Sequence, residues 1–249
     1  MPTTAAGVFK AVQDLAPQAD ARSGEISELR RLPDDLGEAL IDTGVFRLWV
    51  AAEYGGIQAT ALDLYRAVEH AAYFEGSFAW VMMICGATSR LSGQLPHEHA
   101  QALFGSDRSV VAGFIGANGT ATVVDGGLSV TGRWPWGSGG PLCTAIGGGA
   151  RIVDSEGQPA TLSDGATAPF VLLERPQFEL ADNWDTVGLR GSASGDYSCA
   201  NAFVPNGRWL INLAAPGVID DPLYRFAPTG SLAAGVASVA VGLARRAID

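Results

Sequence analysis

Two stretches of this sequence carry residue types that could hold a ligand. The first is Gly132-Arg133-Trp134-Pro135-Trp136-Gly137-Ser138-Gly139. Two indoles bracket a proline, and a hydroxyl sits between glycines, so the turn is rigid. It suits a hydrophobic plug between packed units, or a wall for a flat aromatic cofactor with Ser138 supplying one hydrogen bond. Side-chain chemistry leaves both readings open. The second runs from Asp182 to Asp196, where Ser192, Ser194, Thr186 and several glycines surround Arg190. These residues could cradle a ligand, or form a tight loop tied by side-chain hydrogen bonds.

Other motifs carry less. His97-Glu98-His99 follows Pro96 and opens a helix, and two histidines at i and i+2 on a helix diverge too far to share a metal. His70 falls within an amphipathic helix and reads as structural. Gly137-Ser138-Gly139-Gly140 is followed by no Lys-Ser/Thr, and neither GxGxxG nor GxSxG occurs, so phosphate loop, dinucleotide fingerprint and nucleophile elbow lack support. Cys85, Cys143 and Cys199 are odd in number, with no CxxC spacing. They read as reduced, mostly buried thiols of a cytoplasmic protein, with no metal site. A net charge of −10 argues against a nucleic-acid partner, which needs clustered cations.

Along the chain, 249 residues with 47% hydrophobic and 17% charged content suit a soluble protein of about two domains. The N-terminus shows no signal-peptide pattern, and the dense apolar run Phe78 to Ala87 is too short for the ~20 residues of a membrane span. The first hundred or so residues read as helices. One follows Pro33 with Asp34 and Asp35 in its first turn and ends near Gly44. Another is capped by Thr60 and Asp63, with Ala61, Leu64, Tyr65, Val68, Ala71 and Ala72 as its apolar face. Ser77 to Cys85 is apolar on every side and belongs inside a bundle.

From Ser109 the pattern becomes strand-like. Val110 to Ile115 and a hairpin of Ala121 to Val124 and Leu128 to Thr131 lead it, followed by 145–153, 170–173, 178–181 and 196–204. Short strands without intervening helices predict an antiparallel barrel or sandwich, closed by Pro205-Asn206-Gly207. A final helix capped by Ser231 carries Leu232, Val236, Val239, Val241 and Leu243. With nothing to cover it and no cap residue before Asp249, such a helix reads as the start of a third, helical domain in which the chain stops. The expected class is α+β: a helical domain over 1–108, a β-domain over 109–207, and over 208–249 a linker and the first helix of a C-terminal helical bundle.

Taken together, these stretches resemble the acyl-CoA dehydrogenase superfamily. Leu32 to Leu40, Gly44-Val45-Phe46-Arg47, Glu53-Tyr54-Gly55-Gly56 and Glu75 to Trp80 resemble its N-terminal helical domain. The hairpin ending at Gly139 and the Trp184 to Asp196 loop resemble its middle domain. The resemblance implies a flavin, FAD or FMN, against the β-domain, and a homotetramer. It puts Trp136 on the isoalloxazine, Ser138 at flavin N5, and Phe114 and Ile115 along the cofactor-facing strand. Trp80 and Met83 are expected in the substrate pocket.

Ile115 to Ala121 lacks the Thr-Glu and Ser-Asp residues of the dehydrogenases, and the Gly-Arg-Trp-Pro-aromatic-x-Ser-Gly form resembles the monooxygenase branch. That branch implies reduced flavin from a separate reductase and oxygenation of a small aromatic or heteroatom-bearing substrate. The alternatives are a dehydrogenase acting on acyl-CoA and a non-catalytic relative. The family's catalytic base lies in the C-terminal helical domain. It is expected beyond Asp249, so no residue of this sequence is named for it.

Overall fold

The computed structural model describes residues 1–163, 165–215 and 217–249. Its N-terminal part is built of helices α1 (Ala5–Ala21), α2 (Ser23–Leu29), α3 (Asp34–Asp42), α4 (Ala61–Phe74), α5 (Gly76–Thr88) and α6 (His97–Phe104). Their ends follow local chemistry. Pro33 precedes α3, and Gly44 after it takes φ 76°, a left-handed conformation open to glycine at little cost. Thr60 and Asp63 form a reciprocal capping box on α4. The Glu75 carboxylate caps α5 by accepting from the Phe78 amide. Burial pushes that carboxyl above its usual range, against the lowering effect of the backbone amides. Helix α5, apolar all round, is packed against α4, the sheet and the C-terminal helix.

The strands are β1 (Val111–Val124), β2 (Gly127–Trp134), β3 (Ala145–Val153), β4 (Phe170–Glu174), β5 (Glu179–Leu180), β6 (Tyr197–Pro205) and β7 (Trp209–Leu210). They form one seven-stranded sheet in the order β5-β6-β2-β1-β3-β4-β7. The α+β class is therefore observed, but the sheet is mixed: β1 and β3 run parallel, with Val111 opposite Ala145, and the other pairs are antiparallel. The expectation of an antiparallel barrel or sandwich needs that correction. Periodicity marks a strand without naming its neighbour. After the β1–β2 hairpin the turn beyond Trp134 carries the chain across the end of β1, so β3 lies on the far side of β1. The first strand is also longer than read: it continues from Phe114 to Val124 through register shifts at Phe114/Ala117 and Ala117/Gly119.

Glycine lets the sheet close over Trp134. A Cβ at Gly119, Gly132 or Gly148 would come within 2.5–2.6 Å of the Trp134 ring. Trp134 is fully buried, donates its indole N–H to the Gly149 carbonyl at 2.8 Å, and stacks on Tyr197 at 5.3 Å.

After α7 (Pro222–Arg225), helix α8 spans Pro228–Ile248. It starts three residues before Ser231, because Pro228 occupies its first turn, and the Ser231 hydroxyl donates to the Pro228 carbonyl at 2.8 Å. At the other end Asp249 is exposed, and its amide donates to the Arg245 carbonyl at 3.2 Å. By length and composition alone α8 could cross a membrane, which the shorter Phe78 to Ala87 run could not. The expectation that nothing covers it is corrected for one face. Ser231, Gly235, Val239 and Gly242 are buried, α4 and α5 pack there, and Arg245 pairs with Glu69 at 2.8 Å. The small residues permit this: a Cβ on Gly242 would lie 2.3 Å from the Glu69 carbonyl oxygen.

Candidate functional site

The turn after β2 separates its two tryptophans by environment. Trp134, the last strand residue, points into the core. Trp136 is 56% exposed although its backbone sits at φ 61°, a conformation that costs a non-glycine residue on the order of 1–3 kcal/mol. The turn is held from both sides: the Gly137 amide donates to Gly195 at 2.8 Å and the Gly139 amide to Ser192 at 2.9 Å. Phe114 meets the Trp136 ring edge-on at 5.2 Å, and Ile115 beside it is 50% exposed. The result is a fixed, exposed apolar wall of Phe114, Ile115 and Trp136. Tyr197 supports it from behind. Its hydroxyl donates to the Gly147 carbonyl and accepts from the Phe114 amide at 3.0 Å, pinning β1 to β3 just before the first register shift. Burial pushes the Tyr197 phenol far up, so it stays protonated as a donor.

Ser138 lies behind this wall and is only 4% exposed. Its hydroxyl accepts from the Trp80 indole N–H at 3.1 Å and lies 2.7 Å from the Ser194 hydroxyl. Ser194 in turn is 2.6 Å from Ser192, whose hydroxyl reaches the Leu189 carbonyl at 2.7 Å. Each hydroxyl carries one proton, so this row can be polarised in two directions. Running outward to Leu189, it consumes the Ser138 proton on Ser194. Running inward, Ser194 donates to Ser138 and leaves the Ser138 proton free of the row. Leu189 tolerates the reversal, because its carbonyl also accepts from the Trp184 indole at 2.9 Å and the Ser192 amide at 3.1 Å.

The loop supplying Ser192 and Ser194 is itself tied down. Arg190 donates to the Ser27 carbonyl at 2.9 Å and pairs with Asp185. The Gly191 amide donates to the Ser77 hydroxyl at 3.1 Å, fixing the loop to the first turn of α5. The three cysteines are free and buried. The fold nonetheless brings Cys85 beside Cys143, and that hydrogen bond together with burial pushes the Cys85 thiol well up, far from a reactive thiolate.

A cavity of about 220 Å³ adjoins the wall. Ile84, Ala87 and Leu91 line it from the α5 side, Phe114, Ile115 and Phe170 from the sheet, and Ser231 and Leu232 from α8. Its polar members are Thr88, Arg90 and Ser231; among the described residues no carboxylate and no histidine lines it. Phe114 and Ile115 thus face both the wall and the cavity. Trp80 and Met83 do not line this cavity. Trp80 sits over Ser138, one turn before the lining residues, and Met83 packs where a Cβ on Gly235 of α8 would meet its side chain at 2.8 Å. Of the residues singled out from sequence, the structure joins Phe114 to Trp136 and Trp80 to Ser138, and leaves Met83 in the α5–α8 contact. Tyr197 and Arg90 were missed, and Ser194 was visible only as part of a small-residue loop.

A mixed sheet flanked by helices, with an exposed indole wall beside an apolar cavity, matches the acyl-CoA dehydrogenase fold. The chain belongs to that superfamily, in its flavin-dependent monooxygenase branch. It is 34% identical over 247 residues to HsaA of Rhodococcus jostii (strain RHA1), the oxygenase subunit of a flavin-dependent monooxygenase, covering 94% of this chain and 62% of that protein. It is 31% identical over 231 residues to the indole-3-acetate monooxygenase of Pseudomonas putida, covering 92% of this chain and 57% of that one. Among solved structures, the 3-HSA hydroxylase from Rhodococcus sp. RHA1 superimposes with a TM-score of 0.87 at 29% identity, over 97% of this chain and 62% of that one. XiaF from Streptomyces sp., solved with FADH2 and glycerol, gives a TM-score of 0.87 at 26% identity, over 98% and 62%. No family model matches the chain. The chain thus spans 62% or less of the length of these relatives.

Proposed function

We propose that this chain is the flavin- and substrate-holding part of an oxygenase component, which uses reduced flavin and O2 to oxygenate a small aromatic or heteroatom-bearing molecule. One observation carries the reading: Trp136 is held rigid and 56% exposed beside an apolar cavity. An exposed indole maintained in a strained backbone fits a flat ring stacked on it. The residues present fit such a group, since Phe114, Ile115 and Trp136 form one apolar face and Ser138 can turn its proton away from Ser194.

A bound reduced flavin, FAD or FMN, would supply the two electrons that activate O2. The chain's residues divide the remaining work. Trp136, Phe114 and Ile115 bind and orient the ring. Ser138 offers one directed hydrogen bond at N5, and Trp80 holds its hydroxyl in place. Ile84, Leu91 and Phe170 exclude water from the space beside the ring, which suppresses unproductive loss of electrons to solvent. The catalytic base is assigned to no residue up to Asp249.

The reading extends to the assembly. A separate flavin reductase would deliver the cofactor, as the oxygenase-subunit description of the relatives suggests. We take 1–108 as a helical domain, 109–207 as a β-domain, and 208–249 as a linker and the first helix of a C-terminal helical domain. Val236 and Leu243 share one stripe of α8, and Val241 and Ile248 another, all of them more than 40% exposed. We take the assembly as a homotetramer from the family resemblance, and those stripes leave apolar surface on α8 for further packing. The three free buried thiols support a cytoplasmic setting.

Trp136→Ala tests the wall. In titrations followed by flavin fluorescence, the variant is expected to bind FMN and FAD roughly 5- to 150-fold more weakly, because a stacked aromatic contact of roughly 1–3 kcal/mol is removed. Its melting temperature should hardly change, since an exposed side chain contributes little to the core. Unchanged flavin affinity would remove the observation on which the reading stands.

A further inference from the structure

Arg90 sits just beyond the end of α5 and is 4% exposed. Among the described residues it forms no ion pair. Its Nη2 donates to the Tyr224 and Phe226 carbonyls at 3.2 and 3.1 Å, and Nη1 reaches only Gln94 Oε1, at 3.4 Å. Its Nε–H has no hydrogen-bond partner. Tyr65 and Tyr224 lie nearby, but each spends its hydroxyl proton on a backbone carbonyl and stays neutral.

Arg47 and Arg208 also enclose an unpartnered Nε–H, but their charge is met in other ways. Arg47 spans three carbonyls, those of Phe104, Ser106 and Tyr54, with Asp107 close enough to offset its charge, while Arg208 is paired with Glu174. Neither lines the cavity; Arg90 does. A buried cation without a counter-charge is costly, and the cavity that Arg90 lines is otherwise mainly apolar, with Ile84, Leu91, Phe114, Phe170 and Leu232 on its walls. Among the described residues no carboxylate lines this cavity.

We propose that Arg90 is the anion-binding residue of this cavity, and that the molecule bound there is a small organic acid, an aromatic or alicyclic body bearing one carboxylate. The apolar lining takes the body, and the guanidinium, whose Nη1 is only weakly engaged with Gln94, takes the charge. This names the substrate class of the proposed oxygenase and rests on that reading only for calling the cavity a substrate site; the binding claim needs no flavin.

Calorimetric titration with phenylacetate and with its neutral isostere phenylacetamide tests it. The acid should bind at least about tenfold more tightly, the effect of a charge-assisted hydrogen bond in a dry site. Arg90→Gln should abolish that preference, and Arg90→Lys should keep part of it. If Arg90→Gln fails to fold because the Tyr224 and Phe226 carbonyls lose their donor, the acid–amide comparison on the unaltered protein still decides. Equal affinities, undetectable phenylacetate binding, or a preference surviving in a folded Arg90→Gln variant would overturn the proposal. Preference for the acid without any flavin binding would instead leave Arg90 standing and sink the oxygenase reading.

Discussion

Ser138 is a buried hydroxyl whose proton has more than one possible direction. Its oxygen is fixed by Trp80, and its proton can point along the Ser194–Ser192 row or toward a ligand, depending on how that row is polarised. Ser138→Ala should leave the fold intact and lower the fraction of consumed O2 that ends in product. Loss of a hydrogen bond of ~1–3 kcal/mol corresponds to a roughly 5- to 150-fold faster leak of electrons to hydrogen peroxide. Ser194→Ala removes the inward donor, so the Ser138 oxygen keeps only the Trp80 N–H while its proton loses its competing acceptor. Coupling should therefore be at least retained in Ser194→Ala and impaired in Ser138→Ala, as measured by product formed per O2 consumed together with peroxide release. Equal impairment in both variants would mean that the row acts only as packing for the turn. At this scale residue chemistry revealed the aromatic turn without separating its two tryptophans; only the family resemblance singled out Trp136. Both are indoles two residues apart, and only the glycines facing Trp134 make it the buried one. Arg90 was invisible for a related reason: a lone arginine following an apolar helix reads as a partner for the helix dipole.

At the scale of elements, helix contacts are set by how closely backbones approach. Alanine in place of glycine in a helix should stabilise by about 0.5–1 kcal/mol from propensity alone. Gly242 tests whether packing overrides that preference, since its Cβ would fall 2.3 Å from the Glu69 carbonyl and 2.6 Å from Ala72. Gly24 in α2 has nothing within 4 Å of the added carbon. Gly242→Ala should therefore lower the melting temperature, at a net cost on the order of 1–3 kcal/mol for forcing α8 off α4, while Gly24→Ala should raise it slightly. A stabilised Gly242→Ala would show that α8 is only loosely attached. Elements with strong local signals were legible in the sequence. The Thr60–Asp63 box, the Gly44 stop and the residues of β3 fall where local chemistry puts them. Pairing was not legible. The parallel β1–β3 neighbours are joined through a turn whose course depends on Gly137 and Gly139 reaching the 192–195 loop, more than fifty positions on in the chain. The covered face of α8 escaped notice because glycine and serine look neutral in a hydrophobic pattern, yet they allow the closest approach.

At the scale of the molecule, the site is an assembly of parts distant in sequence. The wall comes from β1 and the turn after β2, its support from β6 through Tyr197, and the cavity from the end of α5, the sheet and the start of α8. The resemblance named Phe114, Ile115 and Trp136; the cavity required the fold. The central claim is that this wall presents reduced flavin and O2 to an aromatic molecule held in the cavity. The most direct measurement is isotopic. The protein is mixed anaerobically with reduced FMN or FAD and with indole-3-acetate or p-hydroxyphenylacetate, the compounds named for two of its relatives. It is then exposed to 18O2, and the products are read by mass spectrometry. A product carrying one labelled oxygen atom, lost in Trp136→Ala, is the expected result. Unlabelled aromatics with all O2 recovered as peroxide, together with reduction of bound oxidised flavin by an acyl-CoA under anaerobic conditions, would contradict it and make the protein a dehydrogenase.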